Sequence, residues 1–151
     1  MAVYGLQVDF MNKILCEYFG ITRPDVSEKE IYVGLGLAQQ GAHINTNDFT
    51  EVFGGRPLGN YRRARAIFGI PEDCAIYNEN EIVFNTASED WTDSTTRIET
   101  IGLFDRLDYQ DESGNLVKPL VVLHLPESQT ALKGETLILA PSAIRLGLTD
   151  L

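Results

Sequence analysis

The stretch Ile31-Tyr32-Val33-Gly34-Leu35-Gly36-Leu37 decides the fold class. Its aliphatic residues fall on every second position, the repeat of a strand whose successive side chains point to opposite faces. A helix would instead repeat its apolar residues every three to four positions. The intervening positions are Tyr32, Gly34 and Gly36. Glycine inside a strand marks a place where a neighbouring backbone or a bulky side chain comes close. Gly34-Leu35-Gly36 lacks a third glycine and opens no helix, so it is not a dinucleotide-binding fingerprint.

Downstream, the same kind of pattern recurs in short pieces. Strands are expected at Tyr61–Phe68, Glu81–Phe84, Arg97–Phe104, Leu137–Leu139 and across Ile144, Leu146 and Leu148. Leu120–Leu125 is a continuous apolar run and is expected to be buried on both faces. Asp90–Thr96 is polar apart from Trp91 and is expected to be a connection anchored by the indole. Residues 39–59 have loop composition, rich in Gly, Asn, Asp and Thr. Turn signals stand between the strands, notably Ser113-Gly114-Asn115 and Lys133-Gly134. No helical pattern alternates with the strands, so a parallel α/β sheet is disfavoured. Seven or eight short strands at this spacing predict an antiparallel β-sandwich of jelly-roll or immunoglobulin-like type.

Upstream lies the one helical pattern. Met11, Ile14, Leu15, Tyr18 and Phe19 form an apolar stripe that Phe10 widens. Gly20 suits a helix end and Pro24 blocks continuation. The expected organisation is a single domain over 1–151, with a helix at 4–20 and the sandwich at 30–149. A length of 151 residues fits one domain. A chain of this size buries roughly 70% of its unfolded surface, so it needs no staple.

The chain is acidic, with 22 Asp and Glu against 12 Lys and Arg and a net charge of −10. No basic stripe suits a nucleic acid; Arg62, Arg63 and Arg65 are split between the two faces of a strand. No run approaches the length of a membrane span, and the N-terminus does not read as a secretory signal. Cys16 and Cys74 belong to no metal-binding pair and read as small buried hydrophobes.

Chemistry-bearing motifs are sparse. His43 sits in a polar loop and His124 in an apolar run, so neither reads as a ligand. Asp105, Asp108, Asp111 and Glu112 are the best cation candidate, but their spacing does not match a calcium loop and they read as a solvated acidic face. Gly54-Gly55-Arg56-Pro57 could present backbone amides to an anion, yet no lysine or helix follows it and a plain turn is the better reading. No metal, cofactor or catalytic residue is expected. Tyr61, Phe84, Trp91 and Phe104 are expected in the core. Phe49, Phe53 and Arg56 in the long loop are expected to touch a partner, since interface energy concentrates in aromatic and arginine anchors. The helix stripe with Phe10, Met11 and Ile14 is expected either to close its own sandwich or to dock on a partner.

The order of short motifs along the chain adds a resemblance. Phe19-Gly20 leads to Tyr32-Val33-Gly34-Leu35-Gly36-Leu37, then to Asn60-Tyr61-Arg62-Arg63 and Ala66-Ile67-Phe68. Asn80-Glu81-Ile82-Val83-Phe84, Ala87 and Trp91 follow, then Ile98 to Asp105, Gly114-Asn115-Leu116, Lys133-Gly134-Glu135 and Ala143-Ile144-Arg145-Leu146. This resembles tailed-bacteriophage virion structural proteins of the decoration and tail- or fibre-associated type. The resemblance implies a β-sandwich with no catalysis that braces a head or tail by contact with other virion proteins. It also implies repeated copies on a symmetric particle assembled in the host cytoplasm. The chain departs from the pattern at Ala38-Gln39-Gln40 and across 41–59. A receptor- or carbohydrate-binding module of a tail fibre is the alternative, with Tyr4, Tyr77 and Tyr109 as the aromatic candidates.

Overall fold

The computed structural model describes residues 19, 30–39, 49–71 and 74–147. The helix expected over 4–20, with Phe10, Met11 and Ile14, lies outside the described residues apart from Phe19, as do Cys16, His43 and Leu148.

The chain is mainly β. Among the described residues there are eight strands: β1 (Ile31–Gln39), β2 (Ala64–Ala66), β3 (Ala75–Tyr77), β4 (Ile82–Val83), β5 (Thr96–Phe104), β6 (Val121–Gln129), β7 (Ile138–Leu139) and β8 (Arg145–Gly147). They form one sheet in the order β2-β1-β5-β6 and two ribbons, β3-β8 and β4-β7. β1 pairs antiparallel with β5, β5 with β6, and β3 with β8.

Two compact units share the chain. One comprises residues 32–65 and 83–138; the other comprises residues 1–31, 66–82 and 139–151. In the larger unit, β1 and β5 supply the core from one face of the sheet. Val33 stands opposite Leu103 and Leu35 opposite Ile101, and all four are buried. Such cross-strand aliphatic pairs are the unit of sheet stabilisation. The opposite face carries Gly34, Gly36 and Gly102, with Gly34 directly across from Gly102. Three missing side chains leave a trough there, which other parts of the chain fill.

In the smaller unit Asn78 is fully buried, and its amide joins two segments. Its Nδ2 donates to the carbonyls of Asn80 and Ala140, and its Oδ1 accepts from the Ile144 amide. Ser142 N also donates to the Asn78 carbonyl. The unit also buries Ile76, Ile144, Phe68 and the free thiol of Cys74. Phe19 is buried with its ring edge-on to Phe68, centroids 5.8 Å apart.

Two strand expectations change. The strand expected over Tyr61–Phe68 is ordered as a ladder only at Ala64–Ala66. Burial falls on odd positions at Tyr61 and Arg63 and on even positions at Ala66 and Phe68. A strand keeps one parity, so the chain shifts phase by one residue where it leaves one unit and enters the other. The run Leu120–Leu125 is not buried on both faces. None of the nine residues of β6 is buried, because β6 is the last strand of its sheet. Asp90–Thr96 is a connection as expected: the Trp91 indole Nε1 donates to the Gly59 carbonyl at 2.8 Å, and Asp93 accepts from the amides of Thr95 and Thr96.

Candidate functional site

The trough on β1 and β5 is filled by the loop that precedes β2. A Cβ at Gly36 would lie 2.6 Å from the Phe49 ring, and one at Gly102 would lie 2.9 Å from it. Phe49 therefore lies across two neighbouring strands, half-buried, with its ring 5.8 Å from that of Phe104. Two residues on, Glu51 points the same way and occupies the space over Gly34, where a Cβ would sit 2.6 Å from Oε2. The glycines of the opening motif thus do what the sequence leads one to expect: they admit bulky side chains.

The loop then folds back over Glu51. Phe53, Gly54 and Gly55 all have positive φ, at 52°, 65° and 85°. Consecutive left-handed residues reverse the chain tightly, which glycine tolerates and phenylalanine does not favour. Gly54 N bonds to the Glu51 carbonyl and Arg56 N to that of Phe53, so these amides close the turn. A Cβ at Gly55 would come within 2.7 Å of Glu51 Oε1, so the carboxylate is held between Gly34 and Gly55.

Two residues, Arg63 and Tyr61, converge on that carboxylate. Arg63 grips it in bidentate fashion, Nη2 to Oε1 at 2.7 Å and Nε to Oε2 at 2.9 Å. Tyr61 donates its hydroxyl to Oε2 at 2.7 Å and accepts from the Leu35 amide at 2.9 Å. The remaining guanidinium nitrogen, Nη1, donates to the carbonyls of Arg106 and Asp108 at 3.1 and 2.9 Å. The guanidinium carbon stands 3.6 Å over the centre of the Phe104 ring. Tyr61 also packs edge-on against Trp91, centroids 5.2 Å apart. The arginine and glutamate side chains are only 1% and 6% exposed.

This arrangement saturates itself. The carboxylate accepts three short bonds, and the tyrosine hydroxyl both donates and accepts. Burial, followed by the negative charge of Glu51, pushes the Tyr61 hydroxyl well above its ordinary pKa. Tyr61 therefore stays protonated across the physiological range and holds its hydrogen bond to the carboxylate. The centre joins β1, the loop before β2, and the segment after β5 through one set of charge-assisted bonds.

Tyr61, Phe84, Trp91 and Phe104 are all buried. The structure stacks Phe104 under Arg63, sets Tyr61 beside it on the shared Glu51 carboxylate, and packs Trp91 on Tyr61. Phe49 and Phe53 are both half-buried on their own chain, Phe49 in the glycine trough and Phe53 with its ring near Gly59; Arg56 is exposed. Sequence reasoning missed Glu51 as the counter-ion and treated Arg63 as one member of a basic run. The available signal was the spacing of Tyr61 and Arg63, two buried-face positions opposite a glycine-bearing strand.

Elsewhere, Asp111 is used by its own turn: Oδ1 accepts from the amides of Ser113 and Asn115. Asp105 pairs with the adjacent Arg106 on the surface. Among the described residues no group of three or more His, Cys, Asp or Glu is placed to hold a metal ion, and no helix is long and apolar enough to cross a membrane. His124 is exposed on β6. No protein-family model matches the chain, and no curated protein matches its sequence.

Proposed function

We propose that the chain is a structural protein of a tailed-phage particle that decorates or braces the head or tail by protein–protein contact. The proposed whole is an antiparallel β-sandwich behind an N-terminal helix, present in repeated copies on a particle assembled in the host cytoplasm. The observation that carries this reading is the closed Glu51–Tyr61–Arg63 centre. Its strong charge chemistry is directed inward, onto the loop and the sheet, where it stiffens a scaffold. The order of short motifs along the chain supports the same reading. In it, Arg56 and the open edges of Phe49 and Phe53 touch a neighbouring virion protein, as does the stripe containing Phe10, Met11 and Ile14.

The test is compositional. Particles of the phage that encodes this chain are purified and analysed by mass spectrometry, and the chain is placed by density in the assembled virion. It is expected in many copies per particle at symmetry-related positions. A chain abundant in the infected cell but absent from purified particles would overturn the proposal.

One observation favours a receptor- or carbohydrate-binding role as a second reading. Within the smaller unit, an open groove of about 470 Å³ is lined by Ile70, Tyr77, Glu79 and Ser142, among others. Tyr77 exposes 40% of its surface there, and Arg145 Nε donates to its hydroxyl. An exposed ring beside a carboxylate can stack a sugar and bond its hydroxyls. Glycan binding that Tyr77→Ala abolishes would favour this reading over the first.

A further inference from the structure

The four-stranded sheet ends very differently on its two sides. β2 offers an edge of three residues, too short to template another strand. β6 offers nine, and none of them is buried. Among the described residues, nothing pairs with its outer edge. Proteins usually guard such an edge with charge, proline or a bulge, because its free amides and carbonyls will pair with another chain.

The guards on β6 are confined to its second half. Pro126 removes one donor. Between the Ile98–Gln129 and Thr100–His124 pairs, β6 carries three residues more than β5, a large bulge that breaks the ladder. Glu127 supplies the one charge of the strand. The first half has no such protection. Val121–His124 is paired in unbroken register with β5, and Val121–Leu125 is apolar apart from His124, with Leu125 standing where the bulge begins. Leu116 and Leu120, which lead into it, are 63% and 47% exposed.

Charge says what covers this edge. The chain has a net charge of −10, so two copies repel across most of their surfaces. From Pro119 to Pro126 no residue carries a formal charge. This segment is therefore where two copies approach with little repulsion. We propose that Val121–Leu125 is the strand through which two copies of the chain pair, edge to edge and antiparallel, about a two-fold axis. In a pair centred on Leu123, Val121 meets Leu125 of the second copy and Val122 meets His124, with no charged side chain facing another. A two-fold pairing needs only one surface, since each copy presents the same patch. The inference rests on the reading above in supposing repeated copies, and it names the surface by which they meet.

Sedimentation equilibrium of the full chain over a range of concentrations tests it. The natural chain is expected to show a monomer–dimer equilibrium. Leu123→Lys, which sets like charges opposite each other at the axis, is expected to weaken it by about tenfold or more. Gln129→Lys, on the same strand beyond the bulge, is expected to leave it unchanged. In the natural chain, amides of Val121–Leu125 should gain hydrogen-exchange protection as concentration rises. That measurement stands even if Leu123→Lys fails to fold. A natural chain that stays monomeric, or a dimer that forms without added protection at Val121–Leu125, would overturn the proposal. A chain that dimerises through this edge but is missing from particles would overturn the virion reading alone; a monomer found in particles would overturn only the pairing.

Discussion

Arg63 ties three segments of the larger unit together through one guanidinium. Its guanidinium satisfies both carboxylate oxygens of Glu51 and two loop carbonyls, all away from water. Removing one partner of a buried ion pair leaves the other charge unpaired, at a cost of about 3–5 kcal/mol. Arg63→Ala is expected to lose stability on that scale in denaturant unfolding. The Glu51→Leu/Arg63→Met double variant should lie closer to the natural chain than Arg63→Ala does, because it leaves no orphaned charge. Tyr61 sets an alkaline limit. Its folded-state pKa lies above its unfolded value, so above a pH of about 10 the unfolded chain releases a proton that the folded chain keeps. Its contribution is fully present below that pH and is lost as the pH rises further. Unfolding free energy measured against pH should therefore fall more steeply in the natural chain than in Tyr61→Phe over the alkaline range. Of these three residues, only Tyr61 was legible in the sequence as core. A buried arginine looks like a surface one until its counter-ion is known, and Glu51 is separated from Arg63 by a turn that no periodicity reports.

The strand β1 shows how an element can be read correctly and still be understood by half. The alternation of Ile31, Val33 and Leu35 gave its type, its start and its buried face. The glycines of the other face marked a close approach there, but nothing in the pattern said which side chains make it. Gly34 and Gly36 are also buried, roofed by Glu51 and Phe49. Adding a methyl at Gly36 would drive it into the Phe49 ring and the Thr100 hydroxyl. Gly36→Ala is expected to cost about 1–3 kcal/mol through overpacking, seen as a lowered melting temperature. β6 errs in the opposite sense. Val121, Val122 and Leu123 read as doubly buried because hydrophobicity alone cannot tell an inner strand from a final one. Its position at the end of the sheet is a property of topology, fixed by which strands pair and not by its own composition.

At the level of the whole molecule, length and strand pattern conveyed a β protein with antiparallel pairing, while the division of the chain into two units was hidden. That division is discontinuous, and short-range patterns carry no information about which distant segments meet. The phase shift between Arg63 and Ala66 is its only local trace. The acidity of the chain, by contrast, was legible from composition and bears directly on assembly: it makes the uncharged edge of β6 the exception on a repulsive surface. The interleaving also orders events during synthesis. Beyond its local bond to Asn80, the Asn78 amide needs Ala140 and Ile144, the latter 66 residues further along. At translation rates of about 5–20 residues per second, several seconds pass between the appearance of β3 and the arrival of β8. Through that interval β3 has, among the described residues, only the bonds of Tyr77 and Glu79 to Gly69 and Ile67, and a chain cut short before residue 140 never acquires its ladder with β8. The smaller unit is thus completed last: only a polypeptide translated through β8 can close it, and products terminated earlier lack the strand that pairs with β3.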